Sequence, residues 1–157
     1  MVTFRKLQSQ DISDLKKLFK TTIEDFSWYS GEQKQDILKN FKADKFTTIL
    51  ENRNYICVVG LSDKKLIGFA FGFFSAGVYT LHWLGVASSF RNKKIATKMI
   101  LRLIGYAKTK NCHRIVCQIV NINTSSLGLF QSLGFEKYAT IRNHFYHKDY
   151  NFLYKNI

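Results

Sequence analysis

Leu81-His82-Trp83-Leu84-Gly85-Val86-Ala87-Ser88-Ser89-Phe90-Arg91-Asn92-Lys93-Lys94-Ile95-Ala96 reads as a strand that runs into a tight, basic turn and then into a helix. The first turn of a helix presents N–H groups that no helical carbonyl satisfies, and the aligned peptide dipoles place partial positive charge there. A phosphate or pyrophosphate fits such an end. Arg91, Lys93, Lys94 and Lys98 add charge at the same place. Taken alone, the segment also fits an ordinary strand–loop–helix joint with a solvated basic loop.

The text on either side supplies the rest of a fold. Residues 79–86 form the strand, on which Thr80, His82, Leu84 and Val86 share a face by alternation. Residues 94–109 carry Ile95, Met99, Ile100, Leu103, Ile104 and Ala107 at helical spacing. Upstream, residues 2–7 alternate as a strand, and Asp11 offers an N-cap for a helix with Leu15, Phe19 and Ile23 on one face. Ser30 and Gln33 form a capping box for a second helix, and Phe26-Ser27-Trp28-Tyr29 is an aromatic loop between the two. Residues 55–61 and 66–74 pair as a hairpin. Downstream come a strand over 114–120, a helix over 124–133 ended by Gly134, and strands over 135–141 and 145–155. The order β-α-α-β-β-β-α-β-α-β-β predicts an α/β fold, one mixed sheet of the α+β kind with helices on its faces. No repeat, linker or low-complexity tract breaks residues 1–157, so one domain is expected.

Composition narrows the class. With 157 residues, 46% hydrophobic and 22% charged, the chain has a globular profile. No apolar run reaches the roughly 18 residues of a membrane-spanning helix, and residues 1–12 hold no signal-peptide core. Cys57, Cys112 and Cys117 fall in apolar text and read as small buried hydrophobes in a reducing compartment, not as a metal site. A cytoplasmic protein without metal or membrane contact is expected. The net charge of +13 draws polyanions, yet it consists mostly of dispersed lysine. The chain has no recognisable nucleic-acid motif, so nucleic acid is not the expected partner.

A second string carries more information. Asn123-Thr124-Ser125-Ser126-Leu127-Gly128-Leu129-Phe130-Gln131-Ser132-Leu133-Gly134-Phe135 resembles the N-x-x-A/S-x-x-L/F-Y-x-x-x-G-F text of the GNAT (GCN5-related) N-acetyltransferase superfamily, with every spacing kept. The first segment resembles the other signature of that family, a strand-end Val followed by R/Q-x-x-G-x-G/A, here Val86 and then Arg91-Asn92-Lys93-Lys94-Ile95-Ala96. The resemblance implies the GNAT-like acyl-CoA N-acyltransferase fold, acetyl-CoA as cosubstrate and direct acetyl transfer to a primary amine. It implies that Leu84 and Val86 meet the pantetheine arm and that Arg91, Asn92, Lys93, Lys94, Ile95, Ala96 and Thr97 surround the phosphates. Asn123, Ser126 and Phe130 would complete the cofactor wall, and Gly85 suits a bulge where the strand splays. Lys94 and Asn92 stand where the family favours glycine. Lysine gives up that freedom but reaches phosphate as a point charge, provided its backbone is simply helical.

The chemistry needs a base for the attacking amine and help for the departing thiolate. Phe130 stands where relatives often have an acidic tyrosine, and phenylalanine donates no proton. A thiol pKa of about 8.5 makes unassisted departure tolerable. His82 titrates near neutrality and is the leading base. Glu24 and Asp25 precede the aromatic loop, where the family places acceptor contacts, and Tyr146 or His144 would line the acceptor groove near the C-terminus. The expected acceptor is a small-molecule or peptide amine (a small molecule, a peptide N-terminus or a lysine), and an open sheet edge near the C-terminus offers a route to a homodimer. The alternatives are an acyl-CoA sensor that has lost catalysis, motivated by Phe130, and a basic nucleic-acid-binding protein, motivated by charge.

Overall fold

The computed structural model describes residues 1–157, with every side chain except that of Ala43. Seven strands are present: β1 (Val2–Lys6), β2 (Tyr55–Ser62), β3 (Lys65–Ser75), β4 (Val78–Val86), β5 (Arg114–Val120), β6 (Glu136–Ile141) and β7 (Tyr150–Asn156). The helices are α1 (Ile12–Asp25), α2 (Gly31–Asn40), α3 (Ala43–Glu51), α4 (Ile95–Thr109) and α5 (Thr124–Ser132). The strands make one sheet in the order β1-β2-β3-β4-β5-β7-β6. Neighbours run antiparallel except β4 and β5, which are parallel and joined through α4.

Each face of the sheet has its own core. The stripe of α4 predicted from spacing lays Met99, Ile100 and Leu103 against Ile115, Cys117 and Leu153. On the other face, α1 to α3 bury Leu15, Phe19 and Phe46 against Phe69 and Phe71. The Phe19 ring lies 4.8 Å from Phe41, 5.5 Å from Phe46 and 5.4 Å from Trp83, so Phe19→Ala would open a cavity costing about 3–5 kcal/mol. All three cysteines are buried and free.

Local chemistry accounts for the ends of the elements. Ser30 Oγ accepts from the Gln33 N–H at 3.2 Å, and Gln33 Oε1 accepts from the Ser30 N–H at 3.1 Å, which closes the capping box. Gly134 (φ +78°) follows α5, and the Phe135 N–H turns back to the Phe130 carbonyl at 3.0 Å. Asp11 precedes α1 without capping it. Its carboxylate instead takes Arg5 at 2.6 and 2.9 Å and the Gln8 N–H at 2.8 Å.

Two elements depart from the sequence reading. Helix α3 was not expected, because it is one short piece with no side-chain cap at Lys42 and only Phe46 and Ile49 as deeply buried apolar anchors. The strand expected over residues 145–155 begins only at Tyr150. Residues Phe145–His147 form a 3-10 turn, with Asn143, Tyr146 and His147 left-handed at φ 50°, 53° and 56°. The Asn143 N–H donates to the Asp149 carboxylate at 2.9 Å and the His144 N–H to the Lys148 carbonyl at 2.8 Å. These bonds close a tight β6–β7 connection that alternation could not reveal.

Candidate active site

The parallel pair at the centre of the sheet is short. Strand β4 pairs with β5 only from Val78 to Leu81, against Arg114 to Cys117, and beyond that the two part. Within β4 a bulge begins the departure: Phe71 faces Trp83 while Gly72 faces Leu81, so His82 is the extra residue. A Cβ on Gly72 would run into the Thr80 carbonyl, which is why this position is glycine. The bulge resets the alternation. Leu81, Leu84 and Val86 pack toward α4, and Trp83 packs toward α1. His82 stands edge-on to Phe73 at 5.4 Å and is not in line with Leu84 and Val86, contrary to simple alternation. The bulge is at His82 and not at Gly85. Gly85 stays in register and is bare because a Cβ would lie 2.5 Å from the Phe69 ring.

Two cavities open where the strands part. The larger, about 580 Å³, is lined by Leu84, Gly85, Val86, Arg91, Asn92, Lys94, Ile95, Ala96, Thr97, Asn123 and Ser126, which the signatures had picked out separately. At its floor, the amides of Ile95, Ala96 and Thr97 are the first of α4 and have no helical acceptor; the helical ladder starts with Lys98 N–H to the Lys94 carbonyl at 3.1 Å. Lys94 is left-handed (φ 57°), as is Asn92 (φ 59°). A helical backbone at Lys94 had been expected. The turn instead keeps the conformation that glycine adopts freely, at a cost of roughly 1–2 kcal/mol for an ordinary residue. Arg91 is not free: its Nε donates to the Val86 carbonyl at 3.2 Å and it pairs with Asp25 at 2.7 Å. It therefore ties the turn to the end of α1. Lys93 lies outside the cavity, bonded to the Ser89 carbonyl at 3.0 Å.

The smaller cavity, about 380 Å³, meets the larger at Phe26, Trp28, Leu84, Asn123 and Ser126. Asn123 Oδ1 accepts from the Ser126 N–H at 3.1 Å, which fixes the amide at this neck. His82, Gln118 and Phe130 reach the smaller cavity. Partial burial of the ring, with the Lys45 charge second, lowers the His82 pKa from its ordinary value, which favours the neutral imidazole. Phe130 is 3% exposed and edge-on to Phe135 at 5.0 Å. The roof joins distant segments. Tyr146 donates to Asp36 at 2.6 Å, and the Tyr29 and Tyr150 hydroxyls bond at 2.7 Å. Burial first, and then donation to Asp36, pushes the Tyr146 hydroxyl up to about 12. Glu24 reaches neither cavity; its carboxylate lies 3.7 Å from Lys20 on the outer face of α1. Tyr29 belongs to the aromatic loop expected at the acceptor, whereas Asp36 and Tyr150 were not singled out in the sequence, because only the tertiary fold brings them to Tyr146 and Tyr29.

Comparison with known proteins agrees with this geometry. The profile described as "Acetyltransferase (GNAT) family" matches residues 15–135. The chain belongs to the GNAT acetyltransferase family. It is thus an acetyltransferase, and the GNAT fold binds acetyl-CoA. No curated protein sequence matches it. Among solved structures, a probable acetyltransferase from Staphylococcus epidermidis is similar at TM-score 0.84 and 22% identity, over 99% of each chain. PaiA N-acetyltransferase from Thermoplasma acidophilum, in complex with coenzyme A, matches at TM-score 0.84 and 18% identity, over 100% of this chain and 99% of that one. The ribosomal-protein-S18-alanine N-acetyltransferase from Escherichia coli matches at TM-score 0.81 and 16% identity, over 100% and 94%. At these identities the likeness is one of fold. The groups in the larger cavity of this GNAT protein fit coenzyme A: orphan amides and Lys94 suit a pyrophosphate, and the freed edge of β4 suits an amide-bearing arm.

Proposed function

We propose that this enzyme holds acetyl-CoA in the larger cavity and acetylates a primary amine held in the smaller one. The observation that carries the reading is the parting of β4 from β5 after Leu81, with a cavity on each side of the neck at Leu84 and Asn123. The Ile95, Ala96 and Thr97 amides and Lys94 receive the pyrophosphate, and Leu84 and Val86 meet the pantetheine arm through their backbone. Asn123 has its side-chain oxygen engaged, which leaves its NH₂ group for the arm.

The thioester supplies an activated acetyl group with a thiolate leaving group. The amine attacks only when neutral, so a proton must leave it. His82, neutral and at the acceptor cavity, takes that proton directly or through one water. Phe130 gives the sulfur no proton and keeps the wall dry. Tyr146 and the Tyr29–Tyr150 pair frame the acceptor, and Glu24 has no part. Arg91 acts on the phosphates indirectly, by holding their turn against Asp25.

Calorimetry with acetyl-CoA and thiol detection with an amine panel test the proposal. Saturable binding and CoA release dependent on amine are expected. Tight CoA binding without turnover on any amine would instead favour an acyl-CoA sensor, and absence of binding would remove the cofactor assignment.

A further inference from the structure

The smaller cavity is lined by no Asp, Glu, Lys or Arg among the described residues. Its wall is largely aromatic, with Phe26, Trp28, Tyr29, Phe41, Tyr146 and Tyr150 all facing in. The hydroxyls among them are engaged, Tyr146 with Asp36 and Tyr29 with Tyr150. Two carboxylates bonded to residues of the cavity walls are likewise committed: Asp36 to Tyr146 and Asp25 to Arg91. The polar groups left, such as His82, Gln118, Asn40 and Thr80, are neutral. A cavity of about 380 Å³ lies within the range of small-ligand sites, which are mostly apolar with a few polar anchors.

Such a cavity discriminates among amines by charge. Aromatic faces tolerate one cationic centre, but a second charge would be desolvated without a partner. A free carboxylate beside the amine would meet the same penalty. The reacting amine must also lose its proton on entering. An α-amine, with a pKa of about 7.7–8.0, holds roughly 300-fold more neutral form near pH 7 than a lysine side chain at about 10.4. Building on the acetyl-transfer reading above, we infer that the acceptor is an α-amine on an aromatic or bulky aliphatic residue whose carboxyl is masked as an amide or a peptide bond. Polyamines, amino sugars with several ammonium groups and lysine side chains are poor acceptors.

The test is CoA release at saturating acetyl-CoA with phenylalanine amide, alanine amide, free phenylalanine, phenylalanyl-alanyl-alanine amide, Nα-acetyl-lysine amide and spermidine. Phenylalanine amide is expected to exceed spermidine, Nα-acetyl-lysine amide and free phenylalanine in kcat/KM by about tenfold or more, and alanine amide by a smaller factor. A still higher kcat/KM for the tripeptide amide assigns the acceptor to a peptide N-terminus, and equality assigns it to a small amide. Preference for spermidine or the lysine derivative, or equal use of alanine amide, would overturn the inference while leaving acetyl transfer intact. No CoA release from any amine, with no heat of acetyl-CoA binding, would instead overturn the transfer reading and this inference with it. Two variants add a carboxylate at exposed wall positions: Asn40→Asp on α2 and Gln118→Glu on β5. Each should raise the spermidine to phenylalanine amide ratio about tenfold. An unchanged ratio in both would count against a charge-selecting wall.

Discussion

The two cavities are built by different means. The larger centres on one continuous piece of chain, strand end to turn to helix start, closed off by the end of α1 and the first turns of α5, and it offers backbone amides and fixed charge to whatever enters. The smaller is assembled from the α1–α2 loop, α2, the middle of β4, β5, α5 and the β6–β7 connection, and it offers rings and neutral side chains. The contrast matches their proposed cargoes. A pyrophosphate is invariant and strongly charged, so a helix terminus suffices for it. An acceptor is recognised by shape and by what it lacks, so its wall must come from segments that vary independently.

The division of labour can be broken from either side. His82→Ala should lower kcat/KM for the amine about a thousandfold while leaving acetyl-CoA affinity nearly intact, as steady-state kinetics and calorimetry would show. Beyond the fall that protonation of the amine itself causes, the wild-type rate should fall further as pH drops through a value below 6.5, because protonation removes the base, and this second acid limb should vanish in His82→Ala. An unchanged rate and profile would exclude His82. Ala96→Asp should weaken acetyl-CoA about a hundredfold, since a carboxylate there competes with the pyrophosphate for the orphan amides. It should not unfold the protein, because an acidic residue in the first turn favours the helix, and circular dichroism checks this.

Smaller perturbations sharpen the contrast. Tyr146→Phe removes the bond to Asp36 and loosens only the acceptor roof. The acceptor KM should rise about fivefold with the acetyl-CoA dissociation constant unchanged, consistent with about 1 kcal/mol for an exposed bond. A matching loss of cofactor affinity would show that the cavities are not separable. Lys94→Gly should raise stability by about 1 kcal/mol by relieving the left-handed backbone, read as a shift in the denaturant midpoint. Acetyl-CoA affinity should fall severalfold, less than for Ala96→Asp, because the amides stay in place while the one exposed Lys94 charge on the pyrophosphate is lost.

This same contrast explains what could be read from the chain. Local features were legible: the Ser30–Gln33 box, the apolar stripe of α4, Gly134 after α5, and the turn from Val86 to Ala96. Each depends on residues a few positions apart. The cofactor cavity was therefore visible almost residue by residue, although Lys94 and Asn92 concealed the left-handed turn that glycine would have announced. The bulge at His82 was invisible, since it is created by the register against Gly72 on β3 and not by anything within β4. The Tyr146–Asp36 and Tyr29–Tyr150 bonds join residues far apart in sequence, and α3 is too short to declare itself by period. What was missed on the acceptor side was missed because it is tertiary.

The most direct test is a crystal structure of the chain soaked or grown with coenzyme A. The account predicts the pyrophosphate against the amides of Ile95, Ala96 and Thr97, and the pantetheine arm between β4 and β5, with its thiol at the neck beside Leu84 and Asn123. Coenzyme A bound elsewhere, or a thiol pointing away from His82 and the aromatic cavity, would contradict it.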